Sequence, residues 1–392
     1  MSGLLKRTWA EVDLDKISQN FLSIRSYVKK GCKVMAVVKA DAYGHGAPYA
    51  SKELDAAGAD MFGVSNIEEA VQLRRCGITK PILILGYTPP ESASELITHK
   101  FTQTVFSTEY AVKLSNAAQA AMGRIKVHIK LDTGMSRVGF LFNGKQDADC
   151  VDAVLAAAAL PGLEAEGVFT HFAVADEPEN SFTKVQFERF MRAVRLIEGR
   201  GVRFKIKHCC NSAGLLNYPK MQLDMVRPGI ILYGLTPAAG MPLPIKLEPA
   251  MELKTVIFQI KTLDPGTAVS YGMRYVTPSA RVVGTMPIGY ADGFARSLSN
   301  RADVLIGGKR AQIIGRVCMD QCLADITDID GVCEDSVVTV IGRDGDEAVT
   351  MEETAGLMGT INYETACLIG KRVPRVFFKN GENIGMQNYI LP

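Results

Sequence analysis

The sequence predicts an α/β domain joined to a β domain: an N-terminal (β/α)8 TIM-type barrel over residues 1–245 and a C-terminal, mostly β domain over residues 246–392. Three observations carry this expectation. Eight short apolar segments alternate with helical patterns over roughly the 200–250 residues that such a barrel needs. The stretch Thr236–Met251 then breaks the rhythm with Pro237, Gly240, Pro242, Pro244 and Pro249, which neither a helix nor a central strand accommodates. Beyond it, β-branched runs recur at short intervals between Gly, Asp and Pro turns. A doubly wound sheet is the competing architecture, but no Gly-x-Gly-x-x-Gly turn supports it.

Taken in order, a strand is expected around Trp9–Val12, and residues 1–12 are free to pair with the second domain. Ile17, Phe21, Ile24 and Val28 recur at helical spacing, and Gly31 supplies a stop. The barrel strands are expected at Val34–Val38, Met61–Val64, Ile82–Leu85, Thr104–Phe106, Val127–Leu131, Ala165–Phe169, Phe204–Lys207 and Asp224–Val226. Between them, Ile67–Arg75 follows an Asn66/Glu69 capping pair. A helix carrying Phe187, Phe190, Val194 and Ile197 follows a Thr183/Gln186 capping box. In the second domain, Val256–Leu263, Arg281–Thr285, Ala311–Val317 and Ser336–Ile341 read as strands.

Composition narrows the function classes. A net charge of +2 gives no nucleic-acid or membrane signature, and 47% hydrophobic residues suffice for a large core. The opening Met1-Ser-Gly-Leu-Leu-Lys-Arg lacks the apolar core of a signal peptide, and runs such as Ala153–Leu160 are too short to span a bilayer. A cytoplasmic enzyme is expected. Nine cysteines without a regular framework suit free thiols in a reducing compartment. Cys209-Cys210 beside His208, and Cys318-x-x-x-Cys322, have no second matching pair, so structural cysteines are favoured over a metal site.

The chemistry is expected where barrel strands end. Lys39 closes the apolar run Val34–Val38, and partial desolvation at a strand end favours the neutral, nucleophilic amine. Lys130 and Arg137 bracket the turn after the fifth barrel strand, and His171 ends the sixth. His208, Asn211 and Ser212 follow the seventh; Arg227 and Gly229 follow the eighth. Asn211-Ser212-Ala-Gly opens a short helix, and Arg227-Pro-Gly229-Ile230 is a tight turn; together they supply the donors that an anion requires. Any one of these residues has an ordinary structural reading, as a cap or a snorkelling cation. Their shared face is what argues for a site.

The run Ala36-Val-Val-Lys39-Ala-Asp-Ala-Tyr43-Gly-His-Gly46 closely resembles the cofactor-lysine segment of alanine racemases, which use pyridoxal 5'-phosphate. Arg227-Pro-Gly-Ile, Val269-Ser-Tyr271-Gly, Gly289-Tyr290-Ala-Asp-Gly and Arg316-Val-Cys-Met319-Asp resemble further motifs of that family in the same order. The resemblance implies an amino-acid racemase that interconverts L- and D-alanine, with D-alanine supplied to peptidoglycan. Lys39 would hold the cofactor as a Schiff base and serve one face of the substrate Cα; Tyr271 would serve the other. Tyr43, Asn211, Ser212, Gly229, Ile230 and Tyr363 would hold the phosphate. Arg227 would face the pyridine nitrogen, keeping it unprotonated and the electron sink weak. His171 would connect to Arg227 in a polar chain reaching the second base. Arg137 would contact the cofactor oxygen and the substrate carboxylate, shared with Met319. Tyr290 would narrow the entrance, with Arg296, Arg316 and Asp176 along the mouth.

In many members of that family the lysine at the Lys130 position is carbamylated, which would turn its repulsion of Arg137 into an ion pair. Ser136 stands where a glycine is common. Because Tyr271 lies in the second domain, the resemblance also implies a head-to-tail homodimer that shares each active site. The alternatives are a racemase of serine or of broad specificity, a decarboxylase of related architecture, and a non-catalytic pyridoxal-phosphate carrier. The last is barrel-only, so the second domain speaks against it.

Overall fold

The computed structural model describes residues 7–145 and 147–391. Strand β1 (Thr8–Asp13) and a helix over Leu14–Tyr27 lead into eight parallel strands. These are β2 (Lys33–Val37), β3 (Met61–Val64), β4 (Ile82–Ile84), β5 (Thr102–Val105), β6 (Ile125–Asp132), β7 (Leu163–Phe169), β8 (Ile206–His208) and β9 (Met225–Val226). All eight fall on or beside the expected segments. Neighbours pair in chain order, and β9 returns to β2 through Met225 opposite Lys33. The last seam is closed by the Asp224 N–H to the Lys207 carbonyl at 3.1 Å and the Arg227 N–H to the Cys210 carbonyl at 3.0 Å.

These strands are buried on both faces, which is why their sequences are continuously apolar rather than alternating. Met35, Met61, Leu83, Ile206 and Met225, from five strands, form a buried cluster inside the barrel. Their alternates, such as Val34 and Ala36, pack outward against the helices. One irregularity breaks the ladder between β6 and β7. Val127 stands opposite Ala165 but His128 stands opposite Gly167, so Glu166 is the extra residue of a β-bulge.

The second domain contains β10 (Met251–Val256), β11 (Gln259–Leu263), β12 (Arg281–Met286), β13 (Asp303–Ile306), β14 (Lys309–Gln312), β15 (Cys322–Asp325), β16 (Val337–Asp344), β17 (Arg375–Lys379) and β18 (Glu382–Gln387). Strand β1 inserts between β10, with Trp9 opposite Lys254, and β17, with Glu11 opposite Val376. The two ends of the chain therefore share one sheet. Helices Met351–Met358 and Asn362–Leu368 interrupt this otherwise β part, and the second of them carries Tyr363.

Several expected boundaries move. The first helix ends at Tyr27 rather than at Gly31, because Val28 turns extended and the Lys29 N–H finds the Gln222 side chain at 2.8 Å. The run Val256–Leu263 divides at Ile257–Phe258 into β10 and β11, and Ala311–Val317 is a strand only to Gln312. The Thr183/Gln186 capping box does not form. The helix starts at Phe182, and Gln186 instead accepts from the Ala173 N–H at 2.8 Å and donates to the His171 carbonyl at 3.1 Å. A tertiary partner has won over the local cap.

Arg375 ties the two parts together. Only 2% exposed, its guanidinium donates to the carbonyls of Gly44 at 2.9 Å, Gly370 at 2.8 Å, Val373 at 2.6 Å and Ile369 at 2.7 Å. Gly44 belongs to the barrel, and the other three precede β17. Removing the side chain strands four carbonyls in a dry interior, so Arg375→Ala should cost roughly 3 kcal/mol or more. The expected reading is a thermal midpoint several degrees lower than that of the parent; an unchanged midpoint would refute this account.

Candidate active site

Lys39 follows β2 at the carboxyl end of the barrel, and the four residues after it are unusual. Ala40, Asp41, Ala42 and Tyr43 have φ of 52, 54, 56 and 53°, a left-handed helical turn built from residues with side chains. Such a turn costs roughly 1–2 kcal/mol per residue and persists only where the surroundings over-determine it. Here they do. Glu69 accepts from the Ala40 N–H and the Ser65 N–H, both at 2.7 Å. Asp41 accepts from the Ala47 N–H at 2.8 Å and from the Tyr389 hydroxyl, and Arg375 holds the Gly44 carbonyl. The sequence predicted a Gly-rich turn leading into a helix, and that helix, Ala47–Ala56, follows; the left-handed turn before it was not foreseen.

This turn sets Tyr43 beneath the anion-binding candidates. A Cβ at Gly229 would lie 2.5 Å from the Tyr43 hydroxyl, so only glycine admits the approach. The Gly229 N–H donates to Ser212 Oγ at 2.9 Å, which leaves the serine proton free to donate. Asn211 Oδ1 caps the helix Ser212–Asn217 through the Gly214 N–H at 2.8 Å, and its amide N–H groups make no hydrogen bond among the described residues. Ile230 opens a short 3-10 turn, where its own N–H has no helical partner. The Tyr363 ring lies 6.0 Å from that of Tyr43. These residues form one cradle of donors, which suits a phosphate.

Cations crowd the same rim. Burial lowers the pKa of Lys39, with Arg137 adding to the effect. Burial pushes Lys130 down to about 8, helped by Arg137 and Arg227. Arg227 is itself pushed down to about 10 by burial. Its Nη1 donates to His208 Nδ1 at 2.9 Å, and its Nη2 donates to the carbonyls of Thr170 at 2.9 Å and Cys209 at 3.0 Å. His171 Nδ1 lies 3.4 Å from the same Nη2 and is held well below the usual histidine range by burial and then by Arg227, so it is neutral. The Nε–H of Arg227 makes no bond among the described residues and remains available to an acceptor such as a pyridine nitrogen.

Asp132 shapes the loop that presents Arg137. Its carboxylate accepts the backbone N–H groups of Gly134, Ser136 and Arg137, each at 3.0 Å, and leaves the Arg137 side chain exposed. Ser136 has φ 56° in this loop, a backbone that glycine adopts freely. Cys209 and Cys210 donate their thiols to the Met221 carbonyl.

The second-domain residues are placed differently. Tyr271 is 70% exposed, Met319 52% and Tyr290 43%. The Tyr271 hydroxyl makes no hydrogen bond among the described residues, so within one chain it has no link to His171 or Arg227. It sits on a short turn whose preceding residue, Ser270, donates to the Arg316 carbonyl at 2.7 Å. Arg296 is exposed, and Arg316 and Asp176 are half-buried. Sequence reasoning missed Glu69, Asp41, Gln186 and Arg375 as supports of the site. The Asn66/Glu69 pair was visible as a cap; that Glu69 also reaches Ala40 was not.

A lysine of lowered basicity beside a cradle of donors suited to an anion, at the rim of a barrel joined to a mostly β domain, defines a class: the two-domain barrel proteins. Comparison with known proteins narrows the class. Residues 12–237 match the family model for the N-terminal domain of alanine racemase, and residues 250–377 match that for its C-terminal domain. Alanine racemase 2 of Oceanobacillus iheyensis is 44% identical over 392 residues, covering 100% of this chain and 98% of the relative. The solved alanine racemase of Clostridium difficile 630 superposes with a TM-score of 0.94 at 38% identity, covering 100% of both chains. That of Bartonella henselae, solved with covalently bound pyridoxal phosphate, superposes at 0.85 with 27% identity, covering 95% of this chain and 100% of the other. The chain belongs to the alanine racemase family.

The Lys130 shift has a consequence for stability. An ordinary lysine protonates below 10.5, whereas native Lys130 does so only below about 8. Between these values the unfolded chain binds more protons, so raising the pH through this window stabilises the fold, and below it the full penalty applies. In bicarbonate-free buffer, Lys130→Met should therefore be more stable than the parent at pH 7, by up to roughly 3 kcal/mol. Urea melts should show that advantage fading as pH rises above about 8. An advantage independent of pH would disprove the assignment.

Proposed function

We propose that the protein racemises alanine, with pyridoxal phosphate held by Lys39 as a Schiff base and protons exchanged on opposite faces of the substrate Cα by Lys39 and the partner subunit's Tyr271. The observation that carries this reading is the Lys39 amine, its pKa lowered by burial, on a braced left-handed turn beside a phosphate-shaped cradle. When bound, the cofactor supplies an electron-withdrawing imine that acidifies the substrate Cα–H. Tyr43, Asn211, Ser212, Gly229, Ile230 and Tyr363 would hold its phosphate. Arg227, which has donors and no acceptor, would keep the pyridine nitrogen unprotonated, so charge is not drawn deep into the ring.

Lys39, whose basicity is lowered by burial and by Arg137, would both remove and return a proton at the substrate Cα. Arg137, exposed at the mouth, would bind the substrate carboxylate together with the Met319 N–H, and Tyr290 would narrow the approach to a methyl-sized side chain. Lys130, whose neutral amine is accessible near neutral pH, would take up carbon dioxide as a carbamate and so pair with Arg137 instead of repelling it.

A shared homodimeric site is supported by the surface of the second domain. Tyr271, Met273, Val276, Tyr290 and Met319 are all exposed in the single chain, an apolar patch of the kind that marks an interface. No helix among the described residues is long and apolar enough to cross a membrane. We assign the product to the supply of D-alanine for peptidoglycan in the cytoplasm.

With pyridoxal phosphate present, L- and D-alanine should each lose optical rotation faster than any other enantiopure amino acid in a panel. Inert alanine, or a faster rival, would displace the substrate assignment. Tyr271→Phe should lower kcat/KM by roughly 100-fold or more while the Schiff-base absorbance survives, and Lys39→Ala should abolish that absorbance. Mixing the two inactive variants should regenerate activity; no recovery after confirmed subunit exchange would rule out a shared site.

A further inference from the structure

From Arg227 a line of side chains runs through the barrel away from the active site. Arg227 Nη1 donates to His208 Nδ1 at 2.9 Å, and His208 Nε2 lies 2.8 Å from His128 Nδ1. His128 Nε2 faces Glu166 Oε2 at 3.9 Å, and Glu166 Oε1 accepts from Lys126 Nζ at 2.7 Å. Both imidazoles are fully buried. The direction of this line follows from chemistry. A guanidinium can only donate, so His208 must offer a lone pair at Nδ1 and carry its proton on Nε2. That proton is donated to His128 Nδ1, which puts the His128 proton on Nε2, aimed at the Glu166 carboxylate. At 3.9 Å this contact is an electrostatic approach and not a hydrogen bond, and His128 Nε2 has no hydrogen-bond partner among the described residues.

Three features show that the fold is arranged around this line. The β-bulge in β7 makes Glu166 the unpaired residue and so re-aims its side chain. Gly167, opposite His128, leaves room for the ring, since a Cβ there would lie 2.7 Å from two imidazole atoms. Phe169 stacks on His208 at 4.8 Å and 8°, with the Arg227 guanidinium 5.4 Å from the same ring. Glu166 is kept ionised, its pKa held at about 2 by His128 and Lys126. Burial lowers the pKa of both histidines, so neither competes as a cation. Arg227 has no lone pair, so no proton passes through the line to the active site. It is a fixed orienting chain.

We propose that His128 and Glu166 are positioning residues for Arg227: with both tautomers set from the Arg227 end, the Glu166 carboxylate attracts the His128 Nε2–H, His128 holds the His208 ring in place, and His208 aims the guanidinium at the cofactor ring. The last step rests on the function proposed above; the tautomer chain does not.

The chain has five histidines, so apoprotein labelled with 15N in its histidine rings gives a readable spectrum. His128 and His208 should both be neutral and protonated on Nε2 between about pH 6 and 9. A His208 signal showing Nδ1–H or imidazolium in the parent protein would overturn the proposal. In Glu166→Gln and Gly167→Ala the 15N shift of His128 Nε2 should move, as that N–H loses its carboxylate or the ring is displaced, and the His208 Nδ1 signal should move with it as its bond to Arg227 is re-aimed; unchanged signals in both would also overturn it. In the loaded enzyme both variants should lose roughly tenfold in kcat with KM for alanine within about twofold, as outer-shell partners do elsewhere. Glu164→Gln, on the same strand but paired with Lys205 at the surface, should leave both constants unchanged. An equal loss there would reduce the effect to strand packing and refute the proposal. The predicted spectra in a parent protein inert toward alanine would instead retain the tautomer chain and reject the racemase reading.

Discussion

The left-handed turn from Ala40 to Tyr43 is the constraint on which the site depends. It reverses the chain within one turn of Lys39, so the amine stays at the barrel rim while Tyr43 drops beneath Gly229. A right-handed helix starting at Lys39 would send Tyr43 elsewhere and open the cradle. Several kcal/mol of backbone strain are offset by bonds from Glu69 on a barrel helix, Asp41 within the turn and Arg375 on the second domain. Since Arg375 also gathers three carbonyls preceding β17, the turn and the domain junction are braced by one side chain.

Burial of positive charge is the second organising effect. Lys39, Lys130, Arg137 and Arg227 converge at one rim, and their mutual repulsion and desolvation lower the basicity of both lysines. Such an arrangement favours anionic ligands. His171 stays neutral among them, positioned by Gln186 through its backbone carbonyl. The barrel tolerates this concentration because its strands bury apolar side chains on both faces below the rim, and because Glu166 sets a carboxylate against it through two neutral imidazoles.

The strands and many of the residues gathered at the candidate site were legible in the sequence for separable reasons. Double-faced burial writes itself as unbroken apolar runs, which mark β2 to β9 in the sequence. Lys39, His171 and Arg227 stood out because each is a lone polar residue at such a run's end. The capping box at Thr183/Gln186 misled because Gln186 meets its partners across space, near His171, and a local pattern cannot weigh that competition. The turn at residues 40–43 was hidden because Ala-Asp-Ala-Tyr carries no glycine to announce a positive φ.

By itself, then, the sequence determined the two-part architecture and the family, and singled out Lys39 at the end of its strand, because burial periodicity and contiguous motifs are local properties. Tertiary structure alone decided the handedness of the Lys39 turn, the register of β1 between β10 and β17 and the alignment of Arg227, His208, His128 and Glu166. Each of these rests on contacts between residues far apart in the chain, and a strand register shifted by one bulge at Glu166 is enough to make or unmake the last of them.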